Sequence, residues 1–294
     1  MATEALVLDP YITLDPSARP AAAVVDTELE LAARRDRIDL GGTFIDRVDR
    51  NEAMQLIRDF VESESPHHIV TVNLDFLSIA DRNPHFRSLL NSADLAVADG
   101  MPLVWLSRLR GTPLTERVAG VELVDDSCRL AAESGRGVFL LGAAPGVAEL
   151  AGQRLQERHP GLRIVGSYSP PMGPLRRREN DRIIRMIRDA NPGFLFVALG
   201  APRQDEWIRA NLHELGVPVA MGVGCVFDLL AGVSRRAPGW MQAAGLEWAY
   251  RLGREPRRLW RRYILNDLPV FGRLLLSGIR TTTTTTDTPA VATT

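Results

Sequence analysis

Six short apolar runs, separated by amphipathic stretches of crossover length, constrain what this chain can fold into more than any other feature. His68 to Val72, Leu95 to Ala98, Gly137 to Leu141, Leu162 to Val165, Phe194 to Leu199 and Val217 to Val223 are brief and almost wholly apolar. Runs of that kind suit strands buried on both faces. Between them, Val121 to Ser134, Val147 to Arg158, Arg178 to Ala190 and Gln204 to Leu215 carry apolar residues at helical spacing. Strand, helix, strand repetition predicts an α/β fold with a Rossmann-like parallel sheet core and right-handed crossovers. Ligands of such sheets lie beyond the carboxyl ends of the strands, so the residues just after each run are the candidates for chemistry.

Several of those residues are polar. Thr71 and Asn73 fall on the same side of the chain and could hydrogen-bond a sugar, although Asn73 would equally cap a helix starting near Asp75. Asp99, followed by Gly100, is well seated for a general base, or for an ordinary turn or cap. Arg117 precedes a helix and could help hold an anion there; an ion pair with Glu116 or Asp125 would explain it as well. Gly142 to Gly146 could bring backbone N–H groups to a phosphate, but lacks the order of a dinucleotide fingerprint and fits tight strand-to-helix packing better. Gly200-Ala201-Pro202 delivers Gln204 to a first helical turn, where its amide can read a hydroxyl. Asp228, after Phe227, repeats the arrangement at the next strand end and could accept from a base or ribose.

Composition bears mainly on the two ends. Formal net charge is only -1, yet Arg251 to Arg280 holds eight arginines against Glu255 and Asp267. Pro256 suits the first position of a helix in which Leu259, Trp260, Tyr263 and Ile264 share one face and the arginines from Arg257 to Arg262 the other. Clustered arginines repel unless they meet an anion, and a diphosphate or anionic headgroups qualify better than plain solvent. Cys128 and Cys225 are far apart and offer no metal-ligand spacing and no disulfide framework. No leader and no membrane span is expected, since the best apolar window, Ala93 to Leu106, contains Asp94 and Asp99. The layout expected is a disordered tail over 1–36, a catalytic α/β domain over 37–244, an Arg-rich helical appendage over 245–280 and a disordered Thr-rich tail over 281–294.

Taken in order, Thr71-x-Asn73, Asp99-Gly100, Glu116-Arg117-Val118-x-Gly120, Gly200-x-Pro202-x-Gln204, Phe227-Asp228, Arg236-Ala237-Pro238, Gly245-Leu246-Glu247-Trp248-x-Tyr250-Arg251 and Glu255-Pro256-x-Arg258-x-x-Arg261-Arg262-Tyr263 resemble the WecG/TagA/CpsF family of bacterial glycosyltransferases. The resemblance spans roughly Ile38 to Leu276. It implies an inverting, metal-independent enzyme with no cofactor besides its UDP-sugar donor. The sugar would be of N-acetylmannosamine type, its uronic acid or a hexose, and the acceptor a sugar on undecaprenyl diphosphate, in the synthesis of envelope or extracellular polysaccharide. It further implies Asp99 as the base, with Arg117 beside it, a donor pocket lined by Thr71, Asn73 and Gln204, and Asp228 near the nucleotide. The basic appendage, with Arg251, Arg258 and Arg261 as the matching arginines, would dock on the inner face of the cytoplasmic membrane and close over the site. No nucleic-acid partner is expected. Two departures stand out: Arg203-Gln204-Asp205 where the family more often has Lys-Gln-Glu, and Cys225 where a small residue is usual. A nucleotide-dependent oxidoreductase and a non-catalytic membrane scaffold are the rival readings.

Overall fold

The computed structural model describes residues 36–171, 173 and 175–282, so the two tails, apart from Asp36, Thr281 and Thr282, lie outside the described residues. An antiparallel hairpin of β1 (Arg37–Asp39) and β2 (Phe44–Asp46) leads into α1 (Arg50–Ser63). Then come β3 (His67–Val72), α2 (Leu74–Arg82), α3 (Pro84–Asn91), β4 (Leu95–Ala98), α4 (Met101–Leu109), α5 (Gly120–Glu133) and β5 (Gly137–Gly142). The chain continues through α6 (Val147–Arg158), β6 (Arg163–Tyr168), α7 (Arg177–Ala190), β7 (Phe194–Ala198), α8 (Arg203–Leu215), β8 (Val219–Gly222) and α9 (Val226–Leu230). Each of the six apolar runs is a strand. They form one parallel sheet in the order β4-β3-β8-β7-β5-β6.

Helices cover both faces of that sheet, which explains why its strands lack polar alternation. Ile69, Leu95, Val138, Leu140, Phe194, Phe196, Val219 and Met221 point to one side, where they pack with Ile57 of α1, Leu123 of α5 and Leu155 of α6. Their neighbours point the other way. Val70, Val72, Ala96 and Ala98 meet α2, α3 and α4, while Phe139, Leu141, Leu195, Val197 and Ala220 meet α7 and α8. The Gly142 turn serves packing. A Cβ there would sit 2.5 Å from the Ala198 carbonyl oxygen, and Gly142 has φ of +106°, so only glycine lets β5 and β7 end side by side.

The C-terminal part is α10 (Gly239–Ala243), α11 (Glu247–Arg254), α12 (Pro256–Trp260), a π-helical stretch over Arg261–Asp267 and α13 (Leu268–Thr282). It is docked on the sheet's helical layer. Gly245 closes on Met101 and Trp105 of α4, Val270 and Leu274 are buried with Leu40 and Leu103, and Arg110 donates to the Leu274 carbonyl at 2.8 Å.

The faces expected for this segment need correction. Leu259 is buried, but Trp260 is 42% and Ile264 44% exposed. Arg262 is not part of an unpaired cationic surface: its Nε lies 3.0 Å from Asp75 Oδ1. A π-turn stacks residues five apart, so Arg262 and Asp267 both face α2. Arg261 points outward and lies over the Trp260 ring. No described helix is long and apolar enough to cross a membrane.

Candidate active site

A cleft of about 710 Å³ opens at the carboxyl ends of β3, β4, β7 and β8, between the sheet and the C-terminal helices. Thr71, Asn73, Asp99, Arg117, Gln204, Asp228 and Arg251 all line it, although 180 positions separate Thr71 from Arg251. Parallel pairing brings them together. Val72 pairs with Ala98, and Val197 with Gly222, so the residues after each strand emerge at the same end.

Asp99 follows β4 directly. Its backbone N–H is held by the Val72 carbonyl at 2.7 Å, and it does not cap a helix, since Gly100 is the residue ahead of α4. The carboxylate accepts a hydrogen bond from the Gly120 N–H. A side chain at 120 would meet Asp99 Oδ2 and Thr71 Cγ2 at 3.4 Å, so the glycine keeps that approach open. Burial pushes the Asp99 carboxyl up to about 6, aided by Glu247 and opposed by Arg117 and Arg236.

Arg117 pairs with neither Glu116 nor Asp125, as its neighbours in sequence had suggested. It donates to Glu247 Oε2 at 3.0 Å and to Glu122 Oε1 at 3.4 Å. Arg236 completes a four-membered ring of charge, donating to Glu122 Oε1 at 2.9 Å and Glu247 Oε1 at 3.4 Å. Glu116 instead accepts from the Arg50 backbone N–H.

The other residues divide by what their side chains already hold. Asn73 is a helix cap, its Oδ1 accepting from the Phe76 N–H at 3.2 Å while the residue faces the cleft. Asn73→Asp is therefore expected to keep the stability of the fold, whereas Asn73→Ala loses about 1 kcal/mol in urea unfolding. Gln204 is only 2% exposed. Its Oε1 accepts from the Gly224 N–H at 3.0 Å, so this amide shapes the turn after β8. Thr71 reaches toward the Gly222 carbonyl at 3.4 Å. Asp205 is fully buried, 3.6 Å from His68 Nε2 in the sheet, so this departure concerns the core rather than the cleft. Cys225 accepts from Arg251 at 3.3 Å, which ties the other departure to an arginine of the C-terminal segment. Arg261 lies outside the cleft's lining, and the side chain of Arg258 lies outside the described parts of the structure. The Ser169 to Gly173 segment packs beside the Gly142 turn, with Ser169 donating to the Gly142 carbonyl at 3.1 Å; Met172 lies outside the described residues.

A carboxyl pair, Asp75 and Asp267, lies along the same cleft and was not foreseen. Asp267 is 4% exposed, faces Asp75 and accepts from Ser78 of α2. Burial and the charge of Asp75 push Asp267 up to about 7, against the pull of Arg262 and Arg82. Sequence gave no sign of this pair, because 192 positions separate its members.

A family model described as glycosyl transferase WecG/TagA/CpsF family matches residues 38–284 of the chain. Two relatives from Staphylococcus aureus, strains MW2 and NCTC 8325 / PS 47, are each 31% identical over 237 residues, covering 80% of this chain and 90% of the relative. Each is named N-acetylglucosaminyldiphosphoundecaprenol N-acetyl-beta-D-mannosaminyltransferase.

Proposed function

We propose that this chain, which belongs to the glycosyl transferase WecG/TagA/CpsF family, transfers an N-acetylmannosamine-type sugar from UDP to N-acetylglucosaminyl-diphosphoundecaprenol. The glycosyltransferase class follows from membership, and it sets aside the oxidoreductase and scaffold readings. Donor and acceptor are taken from the relatives' names. The observation that carries the chemistry is Asp99, a carboxylate at a strand end in the cleft, raised to about 6 by burial.

In this reading the displacement is single and inverting. The acceptor hydroxyl oxygen forms its bond to the anomeric carbon, Asp99 takes the hydroxyl proton, and the bond from that carbon to the diphosphate breaks with its electron pair leaving on UDP. A carboxyl near 6 is ionised at neutral pH and a stronger base than an ordinary aspartate, which suits proton abstraction. The charge growing on the diphosphate is met by Arg117, Arg236 and Arg251, in a cleft partly screened from water. We assign no metal or cofactor to this step. Thr71 and Asn73 are assigned to the donor sugar, Gln204 to holding the turn beneath it, and Asp228 to the nucleotide.

The acceptor is a lipid, and the outer side of the C-terminal helices suits a peripheral contact with the inner face of the cytoplasmic membrane. Leu265 and Leu276 are exposed in these helices, as are Arg254, Arg257 and Arg261. The boundaries 37–244 for the catalytic part and 245–280 for this docking part are kept as a functional division.

The test is transfer of labelled sugar from UDP-N-acetylmannosamine, its uronic acid and UDP-glucose to a short-chain prenyl-diphosphate N-acetylglucosamine. Expected is transfer from the first donor, with kcat/KM rising through an acid limb near pH 6 to a plateau, since the base must lose its proton. Preference for another donor overturns the sugar assignment. A flat profile from pH 5 to 8 overturns the base.

A further inference from the structure

We propose that Glu247 is a positioning residue that draws the Arg117 and Arg236 guanidiniums off Asp99 and so leaves that carboxylate free to take a proton. The inference rests on the reading of Asp99 as the base. Two guanidiniums beside one buried carboxylate would ordinarily clamp it in charge-assisted hydrogen bonds, lowering its pKa by about 1–3 units and blunting it as a base. Here they are engaged elsewhere. Arg117 spends Nη1 on Glu247 at 3.0 Å and Nη2 on Glu122 at 3.4 Å. Arg236 spends Nη2 on Glu122 at 2.9 Å and Nε on Glu247 at 3.4 Å. The hydrogen bond described at Asp99 comes instead from the Gly120 backbone.

The two glutamates differ in origin. Glu122 sits in the first turn of α5, within the sheet domain. Glu247 is the first residue of α11 and reaches the site only because Gly245 closes on Trp105 and Arg251 on Cys225. Docking of the C-terminal helices thus completes the setting of a base that belongs to the sheet. The charged groups acting on Asp99 are Arg117, Arg236, Glu247 and, from the same helix as Glu247, Arg251. Of these, only Glu247 raises the Asp99 carboxyl.

The test uses the full chain, with pH profiles of transfer and a ¹³C-carboxyl titration of Asp99 assigned with Asp99→Asn. In Glu247→Gln the guanidiniums swing to Asp99. The acid limb and the carboxyl titration then move down together by about one pH unit, and plateau kcat falls roughly threefold to tenfold as the base weakens. Glu247→Asp keeps the charge and restores the limb. Should Glu247→Gln not accumulate folded, Arg236→Gln reads the same coupling with opposite sign, and its limb moves up. Limb and titration unchanged in these variants, with Asp99→Asn inactive, overturn the role of Glu247 alone. Full transfer by Asp99→Asn overturns the base reading beneath it.

Discussion

Asp99→Asn is expected to lose about 10²- to 10⁴-fold in kcat for sugar transfer, the contribution typical of a placed general base, while the protein stays folded. The replacement keeps an acceptor oxygen for the Gly120 N–H and exchanges the other, with the charge, for an amide NH2 of similar size. That charge is itself a burden on the fold, because burial holds the carboxyl near 6, above its ordinary range. Above pH 7 the variant should therefore unfold at the same temperature as the wild type or higher. Activity lost with stability kept separates a catalytic carboxylate from a structural one. A variant that unfolds early and regains transfer on cooling assigns Asp99 to the scaffold instead.

Asp267→Asn is expected to stabilise the protein at pH 8, by on the order of 3 kcal/mol. In the fold, burial and the neighbouring Asp75 raise Asp267 to about 7, whereas the unfolded chain releases that proton in the ordinary carboxylate range near pH 4. The sign follows. Below about pH 4 both states hold the proton and this group is neutral toward folding. Between about 4 and 7 the folded state alone holds it, so stability falls as pH rises through that window and then levels off. Asparagine copies the protonated form at every pH, and its amide can donate to Asp75. The measurement is urea unfolding of both proteins at pH 5 and pH 8. Expected is a small difference at pH 5 that widens at pH 8; a constant difference refutes the linkage. A carboxylate kept at that cost beside the cleft is the signature of a site shaped for something other than stability.

Much of the fold was legible in the sequence because the sheet's strands, apart from the part-exposed edge strand β6, are buried on both faces. The run Leu95 to Ala98 and the helix Val147 to Arg158 fall where the apolar pattern put them, since nothing in their surroundings competes with local patterning. The β1–β2 hairpin was not foreseen: each strand has three residues, too few for alternation to register. Nor was the π-helical stretch at Arg261–Asp267. An ideal helical wheel gave the arginines one face and the aromatics the other, and one widened turn, fixed by packing against α2, moved Arg262 inward.

The site divides in the same way. Asn73, Asp99, Gln204 and Asp228 could be named from sequence because each comes after a strand, and Thr71 because it is the penultimate residue of one; parallel pairing sends all strand ends to one side. The partners of Arg117 could not: Glu122 lies five residues on, but Glu247 lies 130 residues away and becomes a neighbour only through docking of the C-terminal helices. The sequence by itself determined the sheet, its direction and the candidate residues at its rim, all of which depend on local periodicity and connection length. Tertiary structure alone decided which charges face each other there. Ion pairing and burial act through distance in space, and the spacing of residues along the chain carries no record of it.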